Sequence, residues 1–261
     1  MKIALFSTCI VDAMFPQAAQ ATVHLLRRLG YEIDFPQTQA CCGQMHINTG
    51  YYDEAMPILR NYVDTFEPVL DGEWEAVVAP SASCIGSIHT QGAMVARDRG
   101  DEVLAERIEA IGAKTYELCT FLTDVYGSDD LGAYFPHTVT YHPTCHSLRV
   151  EKLGDRPYRL MSHVKGLDLT ELPENSCCGF GGTFSLKNPE VSYSMLTDKM
   201  SNILATKAEI VLSADYSCLM NIGGGLSRLR SGVRAMHIAE VLAPTEDDPW
   251  TAPQTDVKVG A

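Results

Sequence analysis

No window of the chain reaches the roughly 18 apolar residues that a membrane-spanning helix needs, so no span is expected. Basic residues are scarce: 20 Lys and Arg stand against 33 Asp and Glu, a formal net charge of −13. That shortage argues against general nucleic-acid binding, which relies on cations to neutralise phosphates. It also disfavours docking on anionic lipid through a basic patch. The first residues, "MKIALFSTC", carry one lysine and a short apolar run, and an acid and a proline follow soon after. They do not make a secretory signal, and a cytoplasmic protein is expected. Nucleotide-loop motifs are missing as well. "NIGGGLSR" (221–228) has neither the G-x-G-x-x-G order nor the lysine of a phosphate loop. It reads as a turn or a place of close backbone packing. No Ser-His-Asp set stands out.

Cysteine is abundant. The chain has 261 residues, 46% of them hydrophobic, enough for one large core or two small ones, and nine are cysteines. An odd count cannot pair fully within one chain, and a reducing compartment discourages pairing. Metal ligands, redox thiols and buried structural cysteines remain.

The cysteines repeat. Cys9, Cys41 and Cys42 become Cys145, Cys177 and Cys178 on adding 136, Gly43 becomes Gly179, and Cys84 becomes Cys218 on adding 134. Flanking segments agree: "IALFSTC" (3–9) matches "VTYHPTC" (139–145), and "VVAPSASC" (77–84) matches "VLSADYSC" (211–218). The chain is therefore an internal duplication. Each half alternates strand-like runs ("KIALFS", "YEIDFP", "EAVVAP"; "TVTYH", "LDLTEL", "EIVLSA") with helical patterns. "PQAAQATVHLLRRLG" has its proline early and its glycine just past the end. This order predicts an α/β fold of two duplicated Rossmann-like domains with parallel sheets, related by a pseudo-twofold axis. The divisions expected are 1–128, with residues 100–128 as two connecting helices, then 129–243, then a loose acidic tail over 244–261. In such sheets ligands gather beyond the carboxyl ends of the strands, and most of the repeated cysteines follow a predicted strand.

Thiolates suit zinc, copper(I) and iron–sulfur clusters. Structural zinc usually takes short C-x₂₋₄-C knuckles, and this chain has none. Adjacent cysteines would strain around a single small tetrahedron, whereas a multi-iron cluster accepts neighbouring thiolates at different irons. Gly43 and Gly179 let the backbone turn close to a bulky inorganic core, and amides there can donate to sulfur. His142 and His146 flank Cys145 and His46 follows the first pair; each is placed to ligate iron or to hydrogen-bond a cluster sulfide, and each also reads as a loop or capping histidine.

The doubled Cys…Cys-Cys-Gly…Cys pattern resembles the cysteine-rich CCG domain found in heterodisulfide reductase and in the glycolate oxidase iron–sulfur subunit. Over residues 1–243, the length together with "CCGQMHINTGY" and "SCCGFGGTFS" resembles the lactate-utilisation protein A family. The resemblance implies an iron–sulfur, electron-transferring subunit of a complex that oxidises L-lactate to pyruvate, with a ferredoxin-like iron–sulfur partner and a third subunit. It implies up to two clusters of the [4Fe–4S] type, one on Cys9, Cys41, Cys42 and Cys84, the other on Cys145, Cys177, Cys178 and Cys218. The reductase relative adds a fifth cysteine to each motif, where this chain has Ser87 and Asn221. Two other readings stay open: a cluster-free or zinc-bearing scaffold of the same complex, and a thiol-based disulfide reductase. Cys119 has no twin and reads as a core cysteine on an amphipathic helix. Arg149, Arg156 and Arg159 read as solvated surface charges.

Overall fold

The computed structural model describes residues 1–251. The first half forms a parallel sheet of β1 (Lys2–Leu5), β2 (Glu32–Asp34), β3 (Ala76–Ala79) and β4 (Thr115–Glu117), in the order β2-β1-β3-β4. The second half repeats it with β5 (Thr138–Tyr141), β6 (Asp168–Leu169), β7 (Ile210–Ser213) and β8 (Arg234–His237), in the order β6-β5-β7-β8. The central strands β3 and β7 are buried at every residue, as strands covered on both faces must be. Two related α/β units with parallel sheets are what the alternating pattern implies.

The helix Pro16–Arg28 shows why such segments form. Proline occupies its first turn, Ala18, Ala21, Thr22, Leu25 and Leu26 make one buried stripe, and Arg27 and Arg28 face the carboxyl end of the dipole. Gly30 follows at φ +92°, a left-handed stop. Helix Tyr52–Phe66 tolerates Pro57 within it, on the exposed side. Its buried stripe Ala55, Leu59, Tyr62, Val63, Phe66 recurs in helix Pro189–Ala205 as Ser192, Leu196, Lys199, Met200, Ile203.

The halves share a core. One apolar cluster joins Ile3, Val78 and Leu118 to Val139, Leu212 and Ile238. Ser81 and Asp215, equivalent in the repeat, pair with each other in an isolated antiparallel bridge. Helix Ala82–Ser87 meets Cys145–Arg149, and helix Cys9–Met14 meets Tyr216–Arg228, a reciprocal exchange. Contact between equivalent residues marks the pseudo-twofold axis.

Several local expectations change. Residues 100–128 hold the two expected helical stretches, Glu102–Gly112 and the turns from Leu118 to Tyr126 that carry Cys119, but a strand not expected there, β4, runs between them. Pairing of β4 with β3 takes Tyr116 and Glu117 out of the helical pattern of "YELCTFL", whose remainder is helical. The fourth strand of the second half, β8, goes unread for the same reason. "NIGGGLSR" is no turn; it completes helix Tyr216–Arg228. Its glycines do serve close packing, because a Cβ on Gly225 would lie 2.5 Å from the Met200 sulfur and one on Gly223 3.0 Å from Ala235 Cβ. The tail begins attached: Tyr134 donates to the Pro244 carbonyl, Asp248 meets His24 at 3.0 Å, and Trp250 packs on the shared core. The rest of the expected loose tail, 252–261, lies outside the described residues.

Candidate metal centres

The strand order 2-1-3-4 puts the topological switch between the two central strands, where a crevice opens at their carboxyl ends. The cysteines lie at that crevice. Cys9 opens the helix after β1 and Cys84 sits in the first turn after β3, while Cys145 and Cys218 do the same after β5 and β7. The vicinal pairs arrive on the loops that follow the edge strands β2 and β6.

Each quartet comes together. Cys9 Sγ lies 3.5 Å from Cys41 Sγ, and thiol-to-thiol contacts continue from Cys41 to Cys42 and from Cys42 to Cys84. The second site repeats the sequence through Cys145, Cys177, Cys178 and Cys218. Burial repeats too: Cys42, Cys84, Cys178 and Cys218 are buried, while Cys9, Cys41, Cys145 and Cys177 are half-buried. All nine cysteines are free thiols. Cys119, fully buried in the shared core, lies apart from both sites.

The Gly43 amide donates to Cys41 Sγ at 3.4 Å, and the Gly179 amide donates to Cys177 Sγ at 3.4 Å. Both glycines are left-handed, at φ +83° and +84°. Hydrogen bonds from Cys42 and Cys9, with Gly43 adding to them, hold the Cys41 thiol far below its ordinary range. Cys145 and Cys178, with Gly179, do the same for Cys177. Their partners Cys9, Cys42, Cys145 and Cys178 are pushed up, chiefly by the same thiol contacts. One readily ionised sulfur per quartet, gripped by an amide in a part-buried crevice, is a donor set suited to a soft metal or cluster.

The flanking histidines have different surroundings. His142, at the end of β5, has no exposed surface, and neither ring nitrogen has a hydrogen-bond partner among the described residues. It lies with Cys178 and Cys218 so that one donor atom of each falls within 4.8 Å of the others. His146 instead reaches across the axis: its Nε2 meets Gln44 Nε2 at 2.8 Å, and Gln44 also donates to the Ser83 carbonyl. His46, half-buried, stands near Cys41. Ser87 is buried and donates to Gln91, whereas Asn221 donates to the Cys178 carbonyl at 2.8 Å, steadying a thiol's backbone.

Sequence reasoning missed two buried charged side chains here. Asp215 accepts from the Ser83 amide at 2.8 Å and the Ser217 amide at 2.9 Å, capping helices of both halves. Its signal was present, as an acid replacing Ser81 in the aligned repeat. Lys199 is fully buried and donates to the Glu174 carbonyl, in the field of all four second-site cysteines. Its signal was a lysine on the apolar stripe of its helix. Also unforeseen is a largely apolar cleft of about 1030 Å³ that ends near Asn221 and Arg228. It shares Ile10, Met45, Phe180 and Gly182 with the small cavity at the first quartet. Arg156 and Arg159 are held at the surface by Asp124 and Asp129.

The pattern of the cysteine-rich domain family, CCG, matches residues 3–89 and 139–223. The chain is 44% identical over 247 residues to lactate utilization protein A of an Exiguobacterium species, covering 92% of this chain and 96% of that protein. It is 43% identical over 243 residues to the protein of that name from Bacillus subtilis (93% and 99% covered), and 42% identical to that from Oceanobacillus iheyensis (93% and 96%). Among solved structures, a hypothetical protein from Helicobacter pylori superposes with a TM-score of 0.63 at 8% identity over 92% of this chain. The chain spans about half of that structure's length, 48%.

Proposed function

The chain belongs to the cysteine-rich (CCG) domain family and, within it, to the lactate utilization protein A family, and from that premise we propose that it is the electron-transferring iron–sulfur subunit of a complex oxidising L-lactate to pyruvate. The observation that carries the reading is the convergence of two four-thiol sets, each drawn from three separated segments, at the switch-point crevices of the two sheets. Four thiols suffice for a [4Fe–4S] cluster. Cys9, Cys41, Cys42 and Cys84 hold the first centre and Cys145, Cys177, Cys178 and Cys218 the second, within units 1–128 and 129–243. Such a cluster supplies one-electron redox chemistry.

The protein's own groups set the conditions. The Gly43 and Gly179 amides donate to ligand sulfur, which makes a more negative cluster easier to carry and so tunes its potential. His146 ties the Cys145 helix to the segment after Gly43, fixing the two sites relative to each other. The half-buried cysteines and the adjoining cleft supply a surface at which a ferredoxin-like partner in the cytoplasm exchanges electrons, with a third subunit completing the complex.

Anaerobic reconstitution with iron and sulfide tests this. A brown protein with roughly four irons per site is expected, and the double variant Cys41→Ser/Cys42→Ser loses half of them. Folded, colourless protein that takes up no iron overturns the reading. One observation favours a second reading. The Cys9–Cys41 separation of 3.5 Å is close to the ~3.8 Å expected between two thiolates on one tetrahedral zinc with Zn–S bonds of about 2.3 Å. Purification with stoichiometric zinc and no iron would favour that zinc-bearing scaffold.

A further inference from the structure

The duplication that made the two sites also shows where they part. Adding 136 to Phe6 gives His142, so the residue three before the first cysteine is phenylalanine in one half and histidine in the other. The matched buried stripes place Lys199 where the first half has Tyr62. These positions are neighbours in both halves. The Phe6 and Tyr62 rings lie 6.0 Å apart, while His142 feels the charge of Lys199. The first quartet therefore has an aromatic pair behind it, where the second has a nitrogen donor and an amine.

His142 is not a satisfied core histidine. Its backbone is fixed, its N–H donating to the Leu212 carbonyl at 2.7 Å and its carbonyl accepting from Ser213 Oγ at 2.9 Å. Its ring is wholly buried with both nitrogens unpartnered, a state that is costly when nothing occupies the donor or acceptor. Cys178 and Cys218 are its close polar neighbours. An imidazole with both nitrogens unpartnered, held against two thiols, is a metal ligand in waiting.

We propose that His142 ligates the second metal centre directly, so that this centre has a mixed sulfur–nitrogen donor set while the first, with Phe6 at the equivalent place, is held by sulfur alone. The two centres are then chemically distinct stations rather than copies. This rests on the reading above, that the quartets bind metal. His46 stands near Cys41 with its Nδ1 buried and unpartnered, but its ring is only part-buried and it falls in no such three-donor set among the described residues.

The experiment uses full-length protein reconstituted anaerobically with iron and sulfide, in a Cys41→Ser/Cys42→Ser background that leaves the second centre alone. Pulsed electron paramagnetic resonance of the reduced centre is expected to show strong hyperfine coupling to a directly bound imidazole nitrogen. His142→Phe, the residue the other half already accommodates, should abolish that coupling and shift the midpoint potential. The same substitution in wild-type protein should leave the first centre's spectrum and potential unchanged. His142→Ala serves as a second variant, and circular dichroism confirms folding of both. Wild-type protein that takes up no iron overturns both readings. Iron at the second site with no imidazole coupling, or with coupling that persists in folded His142→Phe, overturns this inference alone.

Discussion

Ser81 and Asp215 face each other across the pseudo-twofold axis as equivalent residues of unlike chemistry. Each caps the helix that carries its own half's last ligand cysteine, Ser81 accepting from the Cys84 amide and Asp215 from the Ser217 amide. Asp215 Oδ2 also takes the Ser83 amide and lies 3.4 Å from Ser81 Oγ. One buried carboxylate thus fixes the helix starts of both sites.

Replacing that carboxylate should be strongly destabilising. Asp215→Ala removes a helix cap and a charged acceptor of a buried amide, and a loss of about 2–4 kcal/mol is expected. Urea unfolding measures it. Asp215→Ser, which copies the first half, should recover part of the loss, and an alanine variant within about 0.5 kcal/mol of wild type would show that the bridge is not a stabilising contact.

The paired glycines should respond unequally. A Cβ on Gly43 meets Ile58 at an ordinary 3.5 Å, whereas one on Gly179 would lie 2.5 Å from the Ser192 carbonyl oxygen. Gly43→Ala bears mainly the left-handed backbone cost of about 1–2 kcal/mol. Gly179→Ala adds overpacking against helix backbone, about 1–3 kcal/mol more. Thermal melts of the two variants should differ in that order.

Glu117 supplies a pH signature. Burial pushes its carboxyl up to about 8, despite the amides of Thr120 and Cys119 that it caps. Between its ordinary value of 4.5 and about 8, the native state keeps a proton that the unfolded chain has released, so stability falls as pH rises through that window. The slope approaches about 1.4 kcal/mol per pH unit. His237, its counterpart before the helix after β8, is lowered to about 4 by burial and acts oppositely, its stabilisation being lost as pH falls from 6.5 towards 4. From pH 6.5 to 8 the Glu117 contribution is separable. Glu117→Gln should flatten the fall in urea midpoint there, and an unchanged difference from wild type across that range would refute the assignment.

Lys199 should set a potential. Its amine lies in the field of the second quartet, and a nearby positive charge favours the more negative, reduced state of a bound centre. Lys199→Met is expected to lower the midpoint potential of the second centre and leave the first in place. Spectroelectrochemical titration of the reconstituted protein reads both.

Much of this was legible in the chain because cysteine spacing survives duplication. The 136-residue offset of Cys9, Cys41 and Cys42 exposed the two units, and period and punctuation gave the helix Pro16–Arg28 with its glycine stop. The fourth strands were not legible. Thr115–Glu117 is three residues long and runs straight into a helical pattern, so only its pairing with β3 reveals it. The three glycines of 223–225 spoke for a turn, yet packing of helix on helix at Gly225 required them inside a helix. Lys199 and Asp215 escaped for a different reason. A charge on an apolar stripe acquires meaning only when the partner elements that surround it are known.

The divergence of Phe6 and His142 has a consequence for ancestry. Two identical subunits around a true twofold must present the same side chain at both copies of a position, so a self-assembled pair can hold only twin sites, and an acid at Asp215 would be matched by a second one at the place of Ser81. Joining the copies into one polypeptide frees each position from its mirror image. Covalent fusion is what permits this molecule to own two dissimilar halves.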